Sequence, residues 1–252
     1  VTTYHAAYNE GFPGKRAYNA VMARGDRVIA ISRFVAEHLM ARHGTDPARL
    51  RVIPRGVDPA RFDPASVTPA RVAALRAAWE VPDGAPLLLL PARLTRWKGG
   101  PVVVEALARL PGAVAVLLGD GRPAFIAELR AQAAALGVAD RLRLPGHVGD
   151  MPAALLAADV VLHASTEPEG FGRSVIEAQA MARPVIASDL GGPRETVRHG
   201  ATGWLVPPGD AAALAALVGQ VLAMDSTAAR AGVPTLRAMQ DATLDVYREL
   251  LA

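Results

Sequence analysis

An α/β architecture, in which one complete doubly wound domain follows the end of a preceding one, is predicted by three features of this 252-residue chain. Short apolar runs recur at residues 27–32, 87–91, 113–118, 142–145, 160–163, 184–188 and 204–206. Helix-length stretches fill most of the gaps, and apolar strands separated by helices indicate a parallel sheet covered on both faces. Between Val57 and Ser66, the pairs Asp58-Pro59 and Asp63-Pro64 mark a loop joining two structural blocks.

Taken in order, residues 1–58 hold the first apolar run and too little sheet to stand as a domain. Residues 59–225 carry the other six runs, enough strands for one doubly wound domain. Residues 226–252 end in a helix expected from Leu236 to Leu251, whose apolar positions Leu236, Met239, Leu244, Tyr247 and Leu251 suit a packing role. In open α/β sheets ligands bind at the carboxyl ends of the strands. The loops after residues 87–91 and 160–163 should therefore emerge on one rim.

Composition excludes several classes of chemistry. The chain has no cysteine, so disulfides, thiolate metal sites and a cysteine nucleophile are ruled out, and a reducing compartment is the simpler expectation. Its six histidines are scattered; the nearest pair, His38 and His43, stands at i, i+5 and does not stack on one helical face, so zinc held by histidine alone is not expected. Charges or prolines interrupt every apolar run well short of the ~18 residues that would span a bilayer, and the expected location is cytoplasmic. Residues 15–61 are basic, with Lys15, Arg16, Arg24, Arg27, Arg33, Arg42, Arg49, Arg51, Arg55 and Arg61 against Asp26, Glu37, Asp46 and Asp58. Such a stretch is either a solvated face or the contact for an anionic partner. With aromatics at 5% and not interleaved with the basic groups, a nucleic-acid partner is not expected.

The chemistry is concentrated in Glu167-Pro-Glu-Gly-Phe-Gly-Arg-Ser-Val-Ile-Glu177. A strand precedes this segment and a helix is expected from Ser174 to Met181, so Glu169 lies in the strand-to-helix loop and Glu177 about one turn inside the helix. The first amides of a helix lack partners and its dipole is positive there, so the turn from Gly170 through Phe171, Gly172 and Arg173 to Ser174 suits a phosphate. Along a helix the two carboxylates would be offset by about 12 Å, at ~1.5 Å per residue, roughly a sugar-to-ribose span across a diphosphate. In isolation, two such glutamates are more often a solvated loop acid and an exposed helix acid.

The segment resembles the two-glutamate motif of the family 4 retaining glycosyltransferases, which have the GT-B fold of two Rossmann-like domains. Pro91-Ala-Arg-Leu-Thr-Arg-Trp-Lys-Gly-Gly100, Val114-Ala-Val-Leu-Leu-Gly-Asp-Gly121, Gly192-Pro-Arg-Glu-Thr-Val197 and Gly203-Trp-Leu-Val-Pro-Pro-Gly-Asp210 resemble further elements of that family in the expected order. The resemblance implies that the donor is a nucleotide-diphosphate sugar and that no metal is needed. Arg93 and Lys98 would clamp the diphosphate as its charge grows. Glu169 would meet the donor sugar hydroxyls, the backbone at residues 170–172 the sugar and phosphate, and Glu177 the ribose diol. Arg96, between the clamp residues, is either a substitute or a solvated charge. His5, in Thr-Tyr-His, would face the reaction centre from the first domain and bind sugar or acceptor, or assist proton movement. His163 reads as a packed residue beside the site loop.

The family also implies a sugar or lipid-linked acceptor, with peripheral contact at the inner membrane face, and a chain lacking most of a first domain on which the last helix would pack. Nucleotide-sugar binding without transfer is the alternative. Two departures stand out: Ala182 replaces a usual glycine, and the connection between Met224 and Leu236 is short. A competing reading rests on Gly119-Asp-Gly-Arg-Pro-Ala124, which fits a dinucleotide turn, with Asp140 where a ribose-binding acid of an NAD(P)-dependent oxidoreductase would be sought.

Overall fold

A computed structural model describes residues 1–8, 14–224 and 232–251. The elements run β1 (Thr2–Tyr4), α1 (Lys15–Ala20), β2 (Val28–Ala30), α2 (Arg33–His43), β3 (Leu50–Val52), α3 (Pro69–Ala78), β4 (Leu87–Pro91), α4 (Gly100–Leu107), β5 (Val114–Leu118) and α5 (Pro123–Ala135). They continue with β6 (Leu142–Gly146), α6 (Met151–Ala157), β7 (Val160–His163), α7 (Arg173–Ala180), β8 (Val185–Ser188), α8 (Pro193–Thr196), β9 (Trp204–Val206), α9 (Ala211–Ala223) and α10 (Leu236–Arg248).

Strands β1-β2-β3 form a small parallel sheet, and a second parallel sheet has the order β6-β5-β4-β7-β8-β9. From β4 the chain winds outward through β5 and β6, then returns to pair β7 with β4 and winds the other way. The switch point therefore lies between β4 and β7, where a doubly wound sheet opens its binding crevice.

The apolar runs follow from this topology. Leu87 and Leu89 of β4 enter the core on one face of the sheet, and Leu88 and Leu90 the core on the other. A strand buried on both faces cannot alternate with polar residues. The first of these cores continues into the small sheet through Ile31, Tyr4 and Val28, with Phe171 in the same cluster, so the two units share packing beneath the cleft.

The apolar runs do not mark β1 or β3, whose three residues each are only partly apolar and offer little periodicity. The segment after Val57 is anchored: Val57 pairs with Thr235, and Phe62 and Val67 are buried. The C-terminal helix lies on the small sheet, where Met239 of the expected positions packs and Leu236 is half-buried, but the other three do not. It ends at Arg248, and its buried residue is Val246, which joins Ile29 and Ile53 with Met239 and Ala242 alongside. Leu244, Tyr247 and Leu251 are exposed, at 51%, 50% and 87%, because α10 meets the sheet along a narrow stripe. Glu249 fixes that stripe through Arg27 at 3.0 Å and Arg51 at 2.6 Å. The boundary at Asp225 and most of the short connection after Met224 lie outside the described residues.

The dinucleotide reading fails on geometry. A side chain at Gly119 would collide with the Ala92 carbonyl, and one at Gly121 would sit 2.7 Å from Leu94 Cβ. These glycines are accounted for by the close packing of the turn against the loop after β4.

Candidate functional site

The carboxyl ends of β4 and β7 face the small sheet across a cleft of about 1110 Å³. Its lining includes His5, Arg93, Lys98, Glu169, Gly170, Phe171, Gly172, Arg173, Ser174 and Glu177, the donor-site and His5 candidates named from the sequence. Distant segments thus converge because β4 and β7 are neighbours at the switch point.

The loop after β4 is tied to the end of β7 by Thr166 N–H donating to the Trp97 carbonyl at 2.7 Å. That tie carries Lys98 to Glu169, Nζ to Oε2 at 2.6 Å, with the ammonium 4.4 Å above the Trp97 ring. Ser165 Oγ donates to the other carboxylate oxygen of Glu169. Nε2 of buried His163 lies 2.9 Å from that same oxygen. Burial pushes the Glu169 carboxyl upward, but His163 and Lys98 outweigh it and hold it at about 2. Glu169 is therefore a fixed anion at neutral pH.

Arg93 lines the cleft and, among the described residues, forms no ion pair. Arg96 is turned away: it pairs with Glu128 and stacks 5.4 Å over Phe125, outside the cleft. It is thus not a substitute for the clamp residues.

The loop leading into α7 is shaped by contacts that the sequence did not disclose. Gly172 adopts φ 82°, and a Cβ there would meet Pro193 Cγ at 2.8 Å. Gly192 donates its N–H to the Glu169 carbonyl at 2.8 Å, and a side chain at Gly192 would strike Gly170. Helix α7 begins at Gly172 without a side-chain cap, as α1, α3, α4, α5 and α8 also begin without one, and its first turn, Arg173 and Ser174, lines the cleft. Its first amides are left for another acceptor.

From the opposite unit, Ser32 Oγ donates to the Gly170 carbonyl at 2.6 Å while accepting from Val35 N–H. Glu195, on α8, accepts from the amides of Arg33 at 2.9 Å and Phe34 at 2.6 Å. The site loop is therefore latched to the small sheet. Ser32 is legible in the sequence as a helix cap; nothing local marks the long-range role of Glu195.

Glu177 is half-buried, and Arg173 Nη2 reaches it at 3.2 Å. Burial raises its pKa, and Arg173 only partly offsets this. His5, at the end of β1, accepts a hydrogen bond on Nδ1 from Arg55, and burial followed by the Arg55 charge lowers its pKa. The imidazole is accordingly neutral at neutral pH. His147, from the loop after β6, also faces the cleft and was not singled out by the sequence.

Two parallel α/β units opposed across a cation-rich cleft at a sheet switch point define the GT-B architecture. The chain belongs to the glycosyltransferases: the family model described as glycosyl transferases group 1 matches residues 72–233, and that of glycosyltransferase family 4 matches residues 1–61. It is 38% identical over 216 residues to a D-inositol 3-phosphate glycosyltransferase of Xylanimonas cellulosilytica, covering 83% of this chain and 52% of that protein. It is 36% identical over 187 residues to the lipopolysaccharide core biosynthesis glycosyltransferase LpsE of Rhizobium meliloti, covering 72% and 54%. A glycosyltransferase structure from Rickettsia africae superposes with a TM-score of 0.89 at 34% identity, over 99% of this chain and 70% of that one. Anabaena HepE, solved with UDP and glucose, gives 0.86 at 27% identity, over 100% and 71%. The chain spans about half the length of the curated relatives it matches. Among its described residues, no helix is long and apolar enough to cross a membrane.

Proposed function

We propose that this chain carries the donor site of a retaining glycosyltransferase that moves a sugar from a nucleotide-diphosphate sugar to an acceptor hydroxyl, in cell-envelope polysaccharide or lipopolysaccharide synthesis. The observation that carries this reading is the Lys98–Glu169 pair at the switch point, beside Arg93 and the uncapped start of α7. In this reading Arg93 and Lys98 stabilise the departing nucleoside diphosphate in place of a metal. Glu169, fully ionised, accepts hydrogen bonds from the sugar hydroxyls, and the amides at the start of α7 receive phosphate oxygen. Glu177 accepts from the ribose diol, and His5, a neutral imidazole, offers a hydrogen-bond partner to the transferred sugar or the acceptor.

The sugar C1–phosphate oxygen bond breaks as the acceptor oxygen bonds to C1 on the same face, and the departing phosphate takes the acceptor proton. Configuration is retained without a glycosyl-enzyme. A covalent sugar on Glu169, found by mass spectrometry, would refute this step. Contact with a membrane-borne, lipid-linked acceptor is in keeping with exposed cations in residues 15–61, and the HepE complex with UDP supports a nucleotide-sugar donor by likeness.

The test is calorimetric titration with UDP-, GDP- and ADP-sugars, alongside an Arg93→Ala, Lys98→Ala variant. Saturable binding of one nucleotide class, lost in the variant, is the expected result. A folded chain that binds none of them removes the donor reading. Binding without product in a transfer assay leaves a nucleotide-sugar binding chain, the second reading.

A further inference from the structure

Among the described residues that line the cleft, cations outnumber carboxylates. Lys15, Arg55, Arg61, Arg93, Lys98 and Arg173 line it against Glu167, Glu169 and Glu177. Glu169 is taken by Lys98 and Glu177 by Arg173, while Glu167 forms no ion pair among the described residues.

Arg55 is the unusual member. It follows β3 as His5 follows β1, so both side chains leave the carboxyl rim of the same parallel sheet, on the wall facing the α7 loop. The guanidinium is half-buried and its directed partner is the neutral His5 ring. No carboxylate pairs with it among the described residues; the like charge of Arg173 acts against it, and Tyr8 partly offsets this. A half-buried cation set against a second cation is costly unless an anion joins them. A guanidinium offers five N–H donors in a planar fork, and His5 occupies only part of it.

We propose that Arg55, oriented by His5, is an anion subsite on the small-sheet wall of the cleft, receiving the phosphate or carboxylate of a negatively charged acceptor. Its chemistry matches an oxyanion that accepts two parallel hydrogen bonds. The proposed transfer reaction enters only in naming the owner of the anion: the subsite itself stands on the placement of Arg55. The donor diphosphate is met from the other wall, by Arg93 and Lys98, so the acceptor is read by a different arginine.

The experiment is calorimetry on the whole chain, first saturated with UDP and then titrated with inorganic phosphate, a hexose 6-phosphate, a hexuronate and the neutral hexose. The anionic probes should bind, the neutral hexose more weakly, and Arg55→Gln should weaken the anions by about tenfold or more while leaving UDP affinity unchanged. The same titration of the Arg93→Ala, Lys98→Ala variant without nucleotide separates the two readings. Phosphate binding that survives there and is lost on adding Arg55→Gln supports the subsite even if UDP never binds. Arg55→Gln weakening UDP as much as it weakens phosphate would assign Arg55 to the donor diphosphate and overturn the proposal. Anion binding indifferent to Arg55→Gln, in a variant shown by circular dichroism to be folded, would overturn it too.

Discussion

Replacing Glu169 by Gln should destabilise the fold in a pH-dependent way that can be calculated in advance. The carboxyl is held at about 2 against a reference value of 4.5. At ~1.4 kcal/mol per tenfold change in proton affinity, that difference corresponds to about 3 kcal/mol of native-state stabilisation. Because the folded value is depressed, the contribution is fully present above the unfolded value of 4.5 and is lost as pH falls toward 2. Wild type and Glu169→Gln should therefore differ most near pH 6 to 7, and the gap should close by about 1.4 kcal/mol per pH unit below 4.5. Other low-lying acids, such as Glu249, titrate in both proteins and cancel in the difference. Urea unfolding at a series of pH values from 3 to 7 reads the gap directly. A gap that stays constant over that range would show that Glu169 contributes by packing alone, and that Lys98 and His163 do not hold it as an ion.

Three further outcomes are expected. Ala182 sits at φ 53° after α7, so Ala182→Gly should relieve roughly 1 kcal/mol net of the added chain entropy, and raise Tm by about 2–4 °C in a thermal melt. Ser32→Ala removes a cap and leaves the buried Gly170 carbonyl without its donor, so it should cost about 2 kcal/mol and raise hydrogen exchange at residues 169–172, with Ser32→Thr restoring protection. Arg96→Ala should leave nucleotide affinity unchanged, whereas Lys98→Ala should weaken it by tenfold or more in the same calorimeter.

How much of this was legible beforehand depends on whether the physical signal was local. Strands β4, β5, β7 and β8 could be read because a strand buried on both faces is forced to be a continuous apolar run, and Leu87 to Leu90 is such a run. Strands β1 and β3 could not, since three residues at the edges of a small sheet carry neither length nor pattern. The strained Ala182 was visible only as a departure from the glycine usual in the resembled family, and the structure supplies its left-handed φ of 53°. Along the C-terminal helix Met239 was read correctly, but Leu244 and Tyr247 look like packing residues in isolation, and only the position of the sheet selects Val246.

The site divides along the same line. Glu169, Lys98 and Arg93 lie in short motifs that each follow a strand, so topology alone places them together. The residues that fix their geometry sit far away in sequence. Ser32 reaches Gly170 across 138 positions, and Glu195 reaches the start of α2 across 161 and 162. Neither could have been chosen over the other serines and glutamates by residue type. These contacts also join the two units of the cleft, so the side chains that hold the donor loop in place are the same ones that set its distance from His5 and Arg55. A change at Ser32 or Glu195 should therefore move donor and acceptor affinities together, whereas a change at Lys98 should move only the donor's and one at Arg55 only the acceptor's.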